Sequence, residues 1–255
     1  MTDDFNYPRL IFAISFFVLW LAAWVGFSVL RRLRRLDEGA QEDFGVILAA
    51  TLTLLGLIIG FSFSMAIGRY DQRKNLEAAE ANAIGTEFVR ADLLPTADAA
   101  TVRALLKRYV ELRVEFYTTR DAARLRQVNA QTEQLQAELW SAVRTPAMAQ
   151  PDAVVGLAVS GMNDVLNAQE LTRAAWWNRI PHAAWGLMAI IAICCNLLFG
   201  YGARNLEGHR FLLFVLPFVV SIAFLLIADI DSPRGGLIHV YPQNLLGLAE
   251  ALRGQ

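Results

Sequence analysis

Cysteine is almost missing from this chain: only Cys194 and Cys195 occur in its 255 residues, side by side within an apolar run. Adjacent cysteines in such a run build neither a disulfide framework nor a CxxC metal site. Histidine is as sparse. His182, His209 and His239 stand apart, without HxxxH or HExxH spacing, and read as interface or loop histidines, not metal ligands. Phosphate-cradling glycine loops, a GxSxG elbow and a dinucleotide fingerprint are absent too, so neither an enzyme nor a cofactor is expected. Charge is scarce, at 18% of residues and a net −1, and the basic residues do not gather with aromatics. A nucleic-acid partner is therefore excluded.

What fills the chain is apolar surface. Hydrophobic residues make up 55% of it and the mean hydropathy is +0.37, beyond what a soluble core of this length calls for. A bilayer core of about 30 Å takes about 20 helical residues, and four charge-free runs meet that length: 10–30, 44–67, 183–201 and 211–228. The lipid bilayer is thus a partner. The acidic start Met1-Thr-Asp-Asp-Phe5 and the Arg31-Arg-Leu-Arg-Arg35 step after the first run point to a retained anchor instead of a cleaved signal. Four spans put both termini on one side. Orientation stays open, because Arg31, Arg32, Arg34, Arg35, Arg204 and Arg210 on one side face Arg9, Arg69, Arg73, Lys74, Arg173, Arg179 and Arg234 on the other. Trp176, Trp177 and Trp185 sit where an aromatic belt would begin the third span.

Between the second and third spans, residues 68–181 lose hydropathy but keep helical spacing. The fold class expected is all-α: four transmembrane helices, with residues 68–181 as a helical extramembrane domain inserted between helices 2 and 3, and 232–255 as a tail. No breaker precedes Pro95, so the second span is expected to run on as one helix of more than about forty residues. A further helix is expected from a cap at Asp98, with Val102, Leu105, Tyr109, Leu112 and Phe116 on its inner face, continued by Leu125, Val128, Leu135 and Leu139. Pro146 and Pro151 should break the chain before a last helix from Asp152 carrying Leu157, Met162, Val165 and Leu171. The tail from Asn244 to Leu252 has the leucines of a short amphipathic helix.

The second span carries the most pattern. Gly56, Gly60, Ser64 and Gly68 recur every four residues, the spacing of a close helix-packing strip. Beside them Leu57, Phe61 and Met65 form an apolar strip, which by periodicity alone reads first as lipid contact or bundle core. Copies of this helix around an axis would instead make those side chains a dewetting neck. Arg69, Arg73, Glu77 and Glu80 follow, and acids here, with Glu87 and Asp92, most often form a solvated face. On an axis they become vestibule charges of mixed sign, which leaves selectivity open. Asp229 and Asp231 end the fourth span against the helix dipole and call for a cation such as Arg69, Arg73 or Arg234; a metal there is only a weak candidate. No span interior holds an acid or base, which disfavours coupled transport.

The run of Glu80-Ala-Asn82, Thr86, Arg90 and Leu93-Leu94-Pro95, with Tyr109, Arg113, Trp140, Arg179-Ile-Pro181 and Asp229-Ile-Asp231-Ser-Pro233-Arg-Gly-Gly236, resembles the bacterial bestrophin-like family over nearly the whole chain, and the bestrophin channels more distantly. The resemblance implies a homopentameric anion channel of the bacterial inner membrane, with a cytoplasmic inserted domain and Leu57, Phe61 and Met65 at the neck. Arg73 lacks the paired tryptophans of bestrophins and no run of acids forms a calcium clasp, so calcium gating is not implied. A non-conducting scaffold or sensor whose helical domain docks a partner meets the same residue pattern.

Overall fold

The computed structural model describes residues 8–30, 38–203 and 210–254, and all regular structure among them is helical. The α-helices among the described residues are α1 (Pro8–Val25), α2 (Glu38–Arg90), α3 (Thr96–Thr118), α4 (Ala122–Ala149), α5 (Ala153–Trp177), α6 (His182–Gly202), α7 (Val215–Asp231) and α8 (Gln243–Arg253). A π-turn (Gly26–Leu30) extends α1, and 3₁₀ turns cover Ala91–Leu93 and Arg210–Phe214. Arg31, Arg32, Arg34, Arg35, Arg204 and His209, which bear on orientation and on the histidine reading, lie outside the described residues. Four helical stretches are long and apolar enough to cross a membrane. The chain divides into two compact units, Met1–Arg69 with Arg179–His239, and Tyr70–Asn178 with Val240–Gln255.

At 53 residues, α2 is the dominant element, and at about 1.5 Å per residue it reaches about 80 Å, well beyond a bilayer core. It stops where expected. Pro95 disfavours helical geometry at the residue before it, and Leu94 is extended, with ψ of 161°.

In the first unit, α1 packs against both α6 and α7. Backbones come very close at two glycines. A Cβ at Gly200 would lie 1.9 Å from the Ala23 carbonyl oxygen, and one at Gly26 would lie 2.1 Å from that of Leu197. Small residues let apolar helices gain van der Waals contact where water supplies no drive. The α1–α7 contact is aromatic instead: Phe12 and Phe16 meet Phe218 edge-on at 6.1 and 6.3 Å, and Trp20 stacks at 5.5 Å on Phe214 of the 3₁₀ turn before α7.

The second unit buries Val102, Leu106, Tyr109, Val110 and Phe116 of α3 against Val128, Leu135, Leu139 and Val143 of α4, with Met162 and Val165 of α5. Asp121 and Asp152 cap α4 and α5 by accepting backbone N–H groups of Ala123, Arg124 and Val154, the first-turn donors that a helix cannot satisfy itself. The bonds from Arg124 and Ala123 hold the Asp121 carboxyl below the usual range. Four expectations need correction. Asp98 is not a cap, since α3 begins at Thr96 and places Asp98 in its first turn, where a negative charge favours the helix dipole. Pro146 does not break α4, which runs through it to Ala149; so near the helix end its missing N–H costs little. Leu157 and Leu171 are exposed, and Trp176 is buried against Phe116 and Tyr117, at 5.0 and 5.3 Å between rings, instead of serving in a belt.

At the centre of this unit lies a fully buried ion pair, Glu80 of α2 with Arg113 of α3. The same carboxylate accepts the hydroxyls of Tyr117 at 3.4 Å and Thr172 at 3.2 Å. Burial works against the Arg113 charge, but the Glu80 carboxylate together with Tyr109 and Tyr117 outweighs it, so Arg113 holds its proton more tightly than a free guanidinium. Burial likewise pushes the Tyr117 hydroxyl up, and the Glu80 charge adds to the shift, which keeps it a donor.

Removing one partner of a buried pair strands the other. Arg113→Met is expected to cost about 3–5 kcal/mol, and the Glu80→Leu/Arg113→Met double substitution to recover part of it, read by denaturation in detergent. In the first unit, Gly200→Val should lower the thermal midpoint more than Gly186→Val, because Gly186 has nothing within 4 Å of where its Cβ would lie.

Candidate functional site

The feature that stands out for function is the open side of α2. Over the apolar part of this helix, Leu55, Ser62 and Ala66 are buried within the chain, a spacing that follows one helical face. The remainder looks outward. Leu57 is 52% exposed, Phe61 62% and Met65 44%, and Leu54 joins them. Only 6% of the apolar window of α2 is buried inside the chain, against 39% for that of α7. The packing strip expected beside it is open as well: Gly56, Gly60 and Gly68 have nothing within 4 Å of an added Cβ, and Ser64 is exposed. Within one chain, the close approach of small residues belongs to Gly26 and Gly200 instead.

The four side chains expected as vestibule charges are placed otherwise. Arg69 pairs with Asp231 at 3.3 Å. Arg73 is buried and donates through Nε to the carbonyl of Ala175 at 3.4 Å. Glu77 is buried and accepts from Asn244 Nδ2 at 2.6 Å and from the backbone N–H of Leu245 at 2.9 Å. Glu80 holds Arg113. The helical face that pointed these residues inward leaves a different set outside: Asp71, Gln72, Lys74, Asn75, Ala79, Asn82, Thr86 and Val89 are exposed. By helical register, Gln72, Asn75, Ala79, Asn82 and Thr86 fall on the face of Phe61, and none carries charge. Glu87, read from sequence as solvated, is buried too.

Asp229 and Asp231 are taken up by the chain itself. Asp229 accepts the backbone N–H groups of Leu237 and Ile238, each at 2.8 Å, and Asp231 accepts that of Ile180 at 3.2 and 3.1 Å, besides Arg69. Gly236 closes the turn, as a Cβ there would meet the Asp229 carbonyl oxygen at 2.4 Å. Arg69 is thus the cation that Asp231 called for, and both carboxylates act as backbone acceptors. Among the described residues, no three His, Cys, Asp or Glu side chains gather as a metal site.

Sequence reasoning missed the neutral strip because attention follows charge, and alternating charged and amide residues do not show their facing until the helix phase is fixed. That phase was readable in Leu55, Ser62 and Ala66 only once their burial was known.

A bestrophin-like domain model matches residues 13–245. No curated protein matches the chain. Solved structures of the bacterial bestrophin homolog from Klebsiella pneumoniae share the fold: one is 15% identical with a TM-score of 0.61, covering 95% of this chain and 98% of that one. Two single-substitution variants of the same homolog are each 14% identical, with TM-scores of 0.63 and 0.65 and 97% of this chain covered; 99% and 97% of their own chains are covered. With its four apolar helices, the protein is a multi-pass membrane protein, and the extent of the domain match shows that the chain belongs to the bestrophin-like family.

Proposed function

We propose that this protein is the subunit of an oligomeric ion channel in which α2 lines the axis and Leu57, Phe61 and Met65 form an apolar neck. The observation that carries this reading is the open strip on α2, a long apolar helix face that its own chain leaves almost uncovered. Lipid on every side would satisfy Leu57, Phe61 and Met65. The continuation of the same face, Gln72, Asn75, Asn82 and Thr86, lies beyond the span and suits water. An axis that is dry at one level and wet at the next accommodates both. In this arrangement Gly56, Gly60, Ser64 and Gly68 let neighbouring copies of α2 come close, and a ring of subunits has no free edge. The family resemblance supports five copies, the bacterial inner membrane, a cytoplasmic second unit and anions as the permeant species. The neutral lining beyond the neck argues for weak discrimination by charge, since selective rings are usually built from fixed charges or aimed dipoles.

Reconstituted in planar bilayers, the purified protein should conduct, and Phe61→Ala should raise the open-state current by widening the neck; silence from both sinks the channel reading. Under a salt gradient the reversal potential should lean toward the anion yet fall well short of ideal anion selectivity. Mass measurement in detergent should return a pentamer, and a monomer would leave no axis for the strip to line.

A further inference from the structure

Three acids on α2 face the interior of the second unit, and two have donors. The third does not. Glu87 is completely buried, and neither of its carboxyl oxygens has a hydrogen-bond partner. Buried polar atoms without partners are uncommon and call for a reason.

The surroundings supply one. Glu87 lies against Gly161 of α5, where an added Cβ would fall 2.0 Å from Oε2, so the glycine makes the space that the carboxyl occupies. The same Cβ would meet Arg90 Nη1 at 2.6 Å. Arg90 is the cation nearest to hand, yet it reaches past Glu87 to Asp164 of α5, at 3.7 Å. On the α3 side the charges are engaged elsewhere. Arg103 pairs with Asp92 and donates to the Phe88 carbonyl oxygen at 3.3 Å, and Lys107 lies 5.9 Å above the Phe88 ring. Two acids thus compete for one guanidinium, and the buried one goes without a hydrogen bond.

We propose that Glu87 is a proton-binding site that sets how firmly α2 and α5 close on one another at Gly161. With its proton, the carboxyl is neutral and fits the apolar gap. Losing the proton leaves a buried negative charge that no hydrogen bond reaches while Arg90 is held by Asp164, and relief comes from admitting water or parting the contact. Burial pushes this carboxyl up to about 8 from an ordinary 4.5, against the pull of Arg90 and with a small contribution from Asp164. Because the closed contact binds the proton more tightly than an opened one, closure is strongest in acid, weakens as pH rises from 4.5 towards about 8, and changes little above that.

The test uses the full-length protein in lipid discs and does not depend on conduction. Infrared titration should show one protonated carboxyl that persists well above the ordinary glutamate range and is missing in Glu87→Gln. Hydrogen exchange of backbone amides around Gly161 should be equal in the wild type and Glu87→Gln at about pH 4, and faster in the wild type by about a hundredfold or more at about pH 9. Asp164→Asn, which keeps the carboxyl and frees Arg90, should move its titration downward; Gly161→Ala, which crowds the carboxyl out, should do the same. A carboxyl that titrates in the ordinary range, or exchange that is equal at both pH values, overturns the proposal.

Discussion

A carboxylate turned into a protein interior must be answered by something, and α2 turns three of them the same way. Glu80 is answered by a guanidinium and two hydroxyls, drawn from α3 and α5. Glu77 is answered by the side-chain amide and a backbone N–H at the start of α8. Both solutions require a particular helix at a particular level along α2, so the arrangement of the second unit follows from where those donors have to be. Hydrophobic burial could hold the same helices together in many registers. The buried pairs admit far fewer, which is the specificity that such groups can provide.

The parts of this fold that were legible in the sequence are those set by length and by long-period pattern. Four charge-free runs match four helices because crossing a bilayer imposes one length on all of them. The uninterrupted course of α2 to Pro95 was readable because proline is the strongest local stop. What could not be read was which way a helix faces. Glycines every four residues announce a close approach without naming its partner, and within the chain the tight contact formed at Gly26 and Gly200, where no repeat advertises it. Acids on α2 looked solvated since charge usually is, and only the positions of Arg113, of the start of α8 and of Gly161 show otherwise. Trp176 and Trp177 are neighbours in sequence with opposite fates, one in the core and one largely exposed, because one step along a helix turns by about 100°.

For function, the result of that facing is a division of labour on a single helix. One side of α2 is committed to its own chain through Leu55, Ser62, Ala66, Arg73, Glu77 and Glu80. The other is left apolar and then, in register with Phe61, neutral and polar. The features that a reader of sequence would assign to ion handling turn out to be structural, and the unremarkable amides are the ones placed to meet a permeant ion under the channel reading.

The tie between Glu77 and α8 also bears on how the protein is made. Leu245 lies 168 residues beyond Glu77, so while the ribosome is still extending the chain this carboxylate has neither of its partners, although most of the surrounding helices have already emerged. The second unit therefore cannot reach its final packing before residue 245 has emerged. A nascent chain that stalls before residue 244 would carry an unanswered charge at the heart of an otherwise assembled unit, and would offer quality-control machinery a defect to recognise.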